Sequence, residues 1–285
     1  MSLRVNTKDV VAVSREVQTA YLQMFMDANP AFVPSVFAWA ADCFQGQYLD
    51  YQAIDARYHD FEHTLQGTLC FARLLHGYVD AGIQPRITQR GFELGLLAIL
   101  LHDTGYLKRR GDNVGTGAKY TLTHVQRSVD FAEGLLVSRG FPANEIKSVQ
   151  NMIRCTGVNV ILSTIPFTNP VEERVGFALG TADLLGQMAA DDYVDKLGIL
   201  YEEFAESAQF NGGRYSNAGM FASADDLRSK TPGFWDKYVL AKINNDFLGL
   251  YRYLGRPSPS EENYYIQKIR ANMLRLRPAL TAQAA

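Results

Sequence analysis

The residues best suited to chemistry in this chain are His63, the adjacent pair His102-Asp103, and Asp183, with a further histidine at position 59. His102-Asp103 closes the apolar run 94–101. An imidazole and a carboxylate at the end of a buried helix are costly to desolvate unless something positive sits between them. A metal ion is the natural candidate. Asp183 makes the same demand, because a lone acid in the apolar stretch 179–185 wants a cation or a strong donor. Nitrogen and oxygen donors of this kind suit manganese, iron, zinc, nickel, cobalt or magnesium better than a thiolate-seeking ion.

His59 and His63 lie four residues apart, so a helix through both would place them on one face, the first towards substrate and the second on the ion. Neighbouring His102 and Asp103 can reach one ion only where the helix ends or distorts, and Thr104-Gly105 supplies that break. Four of the five histidines fall in or near these segments.

The elements that must position these groups are helical. Asn6 or Thr7 can cap a helix with apolar positions Val10, Val13, Val17, Tyr21, Leu22 and Phe25, stopped by Asn29-Pro30, and a second helix follows over 34–44. Helical spacing recurs over 58–79, from a cap at Thr88 through 101, and over 123–138, 144–154, 171–188 and 193–210. The tail predicts helices over 232–254 and 260–276, the latter begun by Ser260-Glu-Glu, with 256–259 as connector. Only 158–165 carries a β-branched run, and it has no partner strand, so it predicts an extended loop. The expected class is all-α: an N-terminal extension over 1–50, a metal-binding core over 51–210 and C-terminal helices over 211–285 packed on that core.

With 28 lysines and arginines against 30 aspartates and glutamates, no strong field for a large nucleic acid or an anionic membrane is implied. The three cysteines, Cys43, Cys70 and Cys155, have no C-x-x-C spacing, which argues against a disulfide framework or a thiolate zinc site. No stretch approaches the roughly 20 apolar residues that span a bilayer, and a cytoplasmic location is expected. The aromatic C-terminal helices offer surfaces for a homodimer. Neither a G-x-S-x-G nucleophile turn nor a Walker-type phosphate loop is present.

The segments 58–63 (Tyr-His-Asp-Phe-Glu-His), 101–105 (Leu-His-Asp-Thr-Gly) and 181–183 (Thr-Ala-Asp) together resemble the HD-domain metal-dependent phosphohydrolase superfamily, most closely its cyclic-nucleotide phosphodiesterase branch. The resemblance spans roughly 51–204 and implies a helical scaffold with His63, His102, Asp103 and Asp183 as ligands to one or two divalent ions. It implies that Asp103 is the bridge between two ions, that His59 protonates the leaving oxygen, and that His124 serves a second ion. Two departures stand out. The branch usually has asparagine after its acid histidine, where this chain has Asp60, and a further histidine found in some two-metal members is missing from 151–160.

On this reading the chain hydrolyses a small phosphate ester, a phosphodiester or nucleotide ahead of a monoester, with water activated by the metal. Lys108, Arg109 and Arg110 open a glycine-rich loop, 108–119, and are expected to clamp the substrate phosphate. Phe167, Gln187 and Tyr193 offer faces and an amide for a nucleobase. Two rivals share the resemblance: a di-iron HD-type oxygenase and a non-catalytic HD module in signalling. Guanosine tetraphosphate hydrolysis ranks low, since an acidic pair is expected shortly after His-Asp and this chain has Thr104, Gly105, Tyr106 and Leu107.

Overall fold

Asp9 opens the first helix by accepting from the N–H groups of Val11 and Ala12, so α1 (Val10–Met24) is capped there and not at Asn6 or Thr7. The structure, a computed structural model, describes residues 4–158, 160–212, 221–255 and 263–277. α2 (Phe32–Phe44) packs on α1. Asp60 caps α3 (Phe61–Asp80), and Thr88 caps α4 (Gln89–Leu101). Then come α5 (His124–Ser138), α6 (Ala143–Arg154) and α7 (Pro170–Met188), the last started by Asn169 as cap with proline in the first turn. α8 (Tyr193–Phe210), α9 (Ala224–Phe234) and α10 (Tyr264–Leu276) complete the chain. Among the described residues there is no strand, only isolated bridges joining Gln45 to Ala53 and Tyr51 to Arg109. The all-α class expected from the sequence holds.

The centre of the molecule is the crossing of α3 and α7, the most extensive helix contact in the fold. A methyl group on Gly186 would meet the backbone of Gln66 at 2.8 Å, so glycine is required for the helices to come this close. That approach sets His63 and Asp183 opposite one another. α4 packs against both helices and is buried from Phe92 through Leu101. Truncating a leucine such as Leu96 or Leu97 to alanine there should cost about 2–5 kcal/mol. The one acid in that buried run, Glu93, accepts from the Tyr21 hydroxyl at 2.5 Å and the Gln89 amide at 2.8 Å, and pairs with Arg90 at 2.7 Å.

Val13, Val17, Leu65, Leu97, Leu179, Val239 and Ile269 all enter a single buried cluster, so the stretches 1–50, 51–210 and 211–285 share one core. The tail departs from its expected pattern. α9 starts earlier than expected, capped by Ser223, and Pro232 lies within it. After Pro232 the chain runs through π-helical turns at Trp235–Val239 and Lys242–Asp246 and a 3₁₀ turn at Leu250–Leu254, where a single α-helix over 232–254 was expected. A proline lacks the N–H that continues the regular ladder and disturbs the helix around it. Asn263 caps α10. The expected cap at Ser260 and the connector at 256–259 lie outside the described residues. The β-branched stretch near 158–165 holds one 3₁₀ turn, Leu162–Thr164. No helix among the described residues is long and apolar enough to cross a membrane.

Candidate metal centre

Four side chains from two helices and one helix end converge. His63 lies in the first turn of α3, where the Asp60 carboxylate accepts from the His63 N–H at 2.8 Å. His102 is the C-cap of α4, and Asp103 leads into a 3₁₀ turn at Thr104–Tyr106. This change of helix type lets two adjacent residues face the same point. Thr104 donates its hydroxyl to the Leu101 carbonyl at 2.7 Å and satisfies one of the carbonyls that the helix end leaves open. Asp183 comes from the middle of α7.

His63 Nε2 lies 3.2 Å from Asp103 Oδ2 and 3.4 Å from Asp183 Oδ1, and His102 Nε2 lies 3.3 Å from each. Ligand atoms about 2.0–2.1 Å from a shared ion stand about 3.3 Å apart in a tetrahedral arrangement. The spacing therefore fits a common ion. His63, His102 and Asp103 form a buried group able to hold a metal. His102 Nε2 and Asp103 Oδ2 are buried without any hydrogen-bond partner, a costly condition that a cation would relieve. His102 Nδ1 lies 2.7 Å from the Ile99 carbonyl, which assigns its proton to that nitrogen and turns the lone pair of Nε2 towards the cluster.

Without a metal the cluster holds protons instead. Burial works against a charged His63, yet the carboxylates of Asp103 and Asp183 overcome it and hold its pKa up to about 10. His102 is also raised, against burial, by the same two charges. Burial likewise opposes ionisation of Asp103 and Asp183, but His102 and His63 keep both well below the usual carboxylate range.

His124, the first residue of α5, stands further out, with Nε2 3.9 Å from Asp103 Oδ1. Its Nδ1 lies 2.6 Å from the Thr121 carbonyl, and burial pushes its pKa down, which keeps it neutral and able to ligate. Gly105 seats this helix. A methyl group at Gly105 would fall 2.0 Å from the His124 carbonyl oxygen, and the Gly105 N–H donates to Ser128 Oγ at 2.8 Å. The glycine expected to break α4 thus also makes room for His124.

His59 is a correction to the shared-face expectation. It precedes the Asp60 cap and so lies outside α3. It nevertheless reaches the centre, with its ring 5.3 Å from that of His63. Its Nδ1 is 2.6 Å from Oε2 of Glu203, whose other oxygen accepts from the Tyr58 N–H at 2.7 Å. Glu203 was not singled out from sequence. Burial opposes its ionisation, but His59 and the backbone N–H groups of Tyr58 and His59 hold its pKa below the usual range. A signal existed: it is an acid on the face of α8 that buries Tyr193, Leu197 and Ser207.

The three cations of the expected phosphate clamp each have a partner within the protein. Lys108 is buried, with its ammonium 2.7 Å from both Asp55 Oδ2 and the Gly115 carbonyl. Arg109 stacks over the Tyr51 ring at 4.1 Å, and Arg110 reaches the Gly46 carbonyl at 3.4 Å. The loop is a wall: Lys119 pairs with Asp112, and Glu206 of α8 accepts from the N–H and hydroxyl of Thr116. Gln187 accepts from the Tyr58 hydroxyl at 2.8 Å and donates to the Asp183 carbonyl at 3.1 Å, while Phe167 packs edge-on to Phe177.

His63, His102 and Asp103 are closed off, whereas the side chains of Asp183, His59 and His124 keep 13 %, 15 % and 19 % exposure. Solvent therefore reaches the centre along these three. Lys196 of α8, 2.9 Å from Glu62 of α3, ties the helix carrying Glu203 to the helix carrying His63. A comparison with curated proteins finds no match. The Npun_R2479-like family model matches residues 5–255, and the chain belongs to that family.

Proposed function

We propose that this chain is a metal-dependent phosphohydrolase acting on a small phosphate ester, with a phosphodiester or nucleotide preferred over a monoester. The observation that carries the proposal is the His59–Glu203 pair at 2.6 Å, set beside a buried imidazole and carboxylate cluster with ion-sized spacing. The resemblance of segments 58–63, 101–105 and 181–183 to the HD-domain phosphohydrolases supports it.

His63, His102, Asp103 and Asp183 would hold the ion, and His124 beside Asp103 would serve a second one. Manganese, magnesium, iron, zinc, nickel and cobalt all suit such donors. When bound, a divalent ion supplies polarisation of the phosphoryl oxygens and activation of water near neutral pH. The chain's own task is proton delivery. Glu203, held ionised, accepts a hydrogen bond from His59 Nδ1, so that protonated His59 carries its second proton on Nε2, the atom that passes it to the departing oxygen. General acid catalysis of this kind contributes about 10²–10⁴ in rate.

The preference for a diester rests on the resemblance of segment 58–63 to the cyclic-nucleotide phosphodiesterase branch. The test is turnover of bis-p-nitrophenyl phosphate, p-nitrophenyl phosphate and a nucleotide panel with manganese, nickel, cobalt or magnesium present. Turnover of the diester ahead of the monoester is expected; no turnover of any of them removes the assignment.

A further inference from the structure

The Tyr106 ring lies 4.5 Å from the His59 ring with 10° between their planes, and 4.7 Å from the His124 ring with 22° between planes. The two imidazole centroids are 6.3 Å apart. At a plane spacing of about 3.5 Å, centroid distances of 4.5 and 4.7 Å mean that each imidazole is displaced sideways from the centre of the Tyr106 ring. Offset stacking is the geometry aromatic rings favour.

Each imidazole is also held at Nδ1, His59 by Glu203 at 2.6 Å and His124 by the Thr121 carbonyl at 2.6 Å. One hydrogen bond leaves a ring free to swing about that contact. A flat surface beneath the ring removes the swing, and the two restraints together fix where Nε2 points. Tyr106 can serve as that surface because it is itself immobile: it is 1 % exposed and ends the 3₁₀ turn at Thr104–Tyr106. Its hydroxyl is buried beside Thr121 without a well-formed hydrogen bond.

We propose that Tyr106 is a positioning residue, a shared aromatic platform that sets the plane and spacing of His59 and His124 above the His63, His102, Asp103 and Asp183 cluster. Its kinetic consequence rests on the hydrolytic reading above; its structural consequence does not. Without the platform both imidazoles rotate about their Nδ1 contacts, and the proton donor is misaligned while the cluster keeps its ligands.

The experiment compares full-length wild type with Tyr106→Phe and Tyr106→Leu. In carbon–proton spectra of the histidine rings, recorded without metal, Tyr106→Leu should move the resonances of His59 and His124 downfield, since the shielding ring is lost, and Tyr106→Phe should leave them in place. With manganese and bis-p-nitrophenyl phosphate, Tyr106→Leu should lower kcat about 10–100-fold with KM changed less than about twofold, and Tyr106→Phe should restore wild-type kcat. If Tyr106→Leu moves neither imidazole, the platform does not exist. If Tyr106→Phe alone loses about 10-fold in kcat, the hydroxyl acts instead of the ring face, and the proposal is overturned even should the leucine variant fail to fold. Should wild type show no turnover, the hydrolytic reading falls while the ring spectra still decide the platform.

Discussion

Glu203 and His59, 144 residues apart in sequence, meet at 2.6 Å between Oε2 and Nδ1. This contact gives a histidine outside any helix a fixed ring orientation and a second, uncommitted nitrogen. His59→Asn should reduce kcat about 10²–10⁴-fold, and Glu203→Gln about 10–100-fold, each with metal content unchanged. Because the two act as one unit, Glu203→Gln should cost little more in a His59→Asn background. Steady-state kinetics of the three variants check this; additive losses would show that the residues act separately.

Metal affinity should rise with pH. Without metal, His63 is held up to about 10 by Asp103 and Asp183, so an ion must displace its proton. Calorimetric titration of manganese in two buffers of different ionisation enthalpy should report proton release at neutral pH. A buffer-independent heat would contradict it.

The same shifts set a stability window for the metal-free protein. A raised histidine pKa contributes stability fully below its unfolded value of about 6.5, and that contribution is lost as pH rises through about 10. The lowered carboxylates of Asp103 and Asp183 contribute above their unfolded value of about 3.9, and theirs is lost as pH falls. Thermal melts in chelator should therefore fall between about pH 6.5 and about pH 8.5, and added metal should flatten the trend. Equal slopes with and without metal would count against the coupling.

Gly105→Ala places a methyl group 2.0 Å from the His124 carbonyl oxygen, which must move. A loss of about 1–3 kcal/mol is expected, accompanied by displacement of His124. Gly134→Ala is the control: it lies within α5 with nothing within 4 Å of the added methyl, and should gain about 0.5–1 kcal/mol. Denaturant melts of both variants separate a local clash from a general effect of the substitution.

Helices were legible from apolar spacing. Thr88 caps and starts α4 as expected, and Tyr193–Phe210 forms α8 as expected from its apolar spacing, without a side-chain cap. The change of direction at Thr104-Gly105 was legible as well. His59 was misplaced because the identity of a cap depends on which of several polar residues turns its side chain inward, and Asp60 does so. Glu203 carried only a weak signal, since its partner is set by the packing of α8 over α3. Lys108, Arg109 and Arg110 looked free in sequence, yet Asp55, Tyr51 and Gly46 claim them through contacts that spacing along the chain does not reveal. Pro232 was read as the start of a helix, yet α9 runs through it, and Trp235, Val239 and Ile243 of the π-helical turns that follow enter the buried core.

Calorimetric titration of manganese into metal-stripped wild type, Asp103→Ala and Asp183→Asn tests most directly whether four side chains share one ion. Saturable binding to wild type, with at least one ion per chain, should be lost in Asp103→Ala and weakened at least tenfold in Asp183→Asn. Equal binding by all three proteins, or none by wild type, would contradict it.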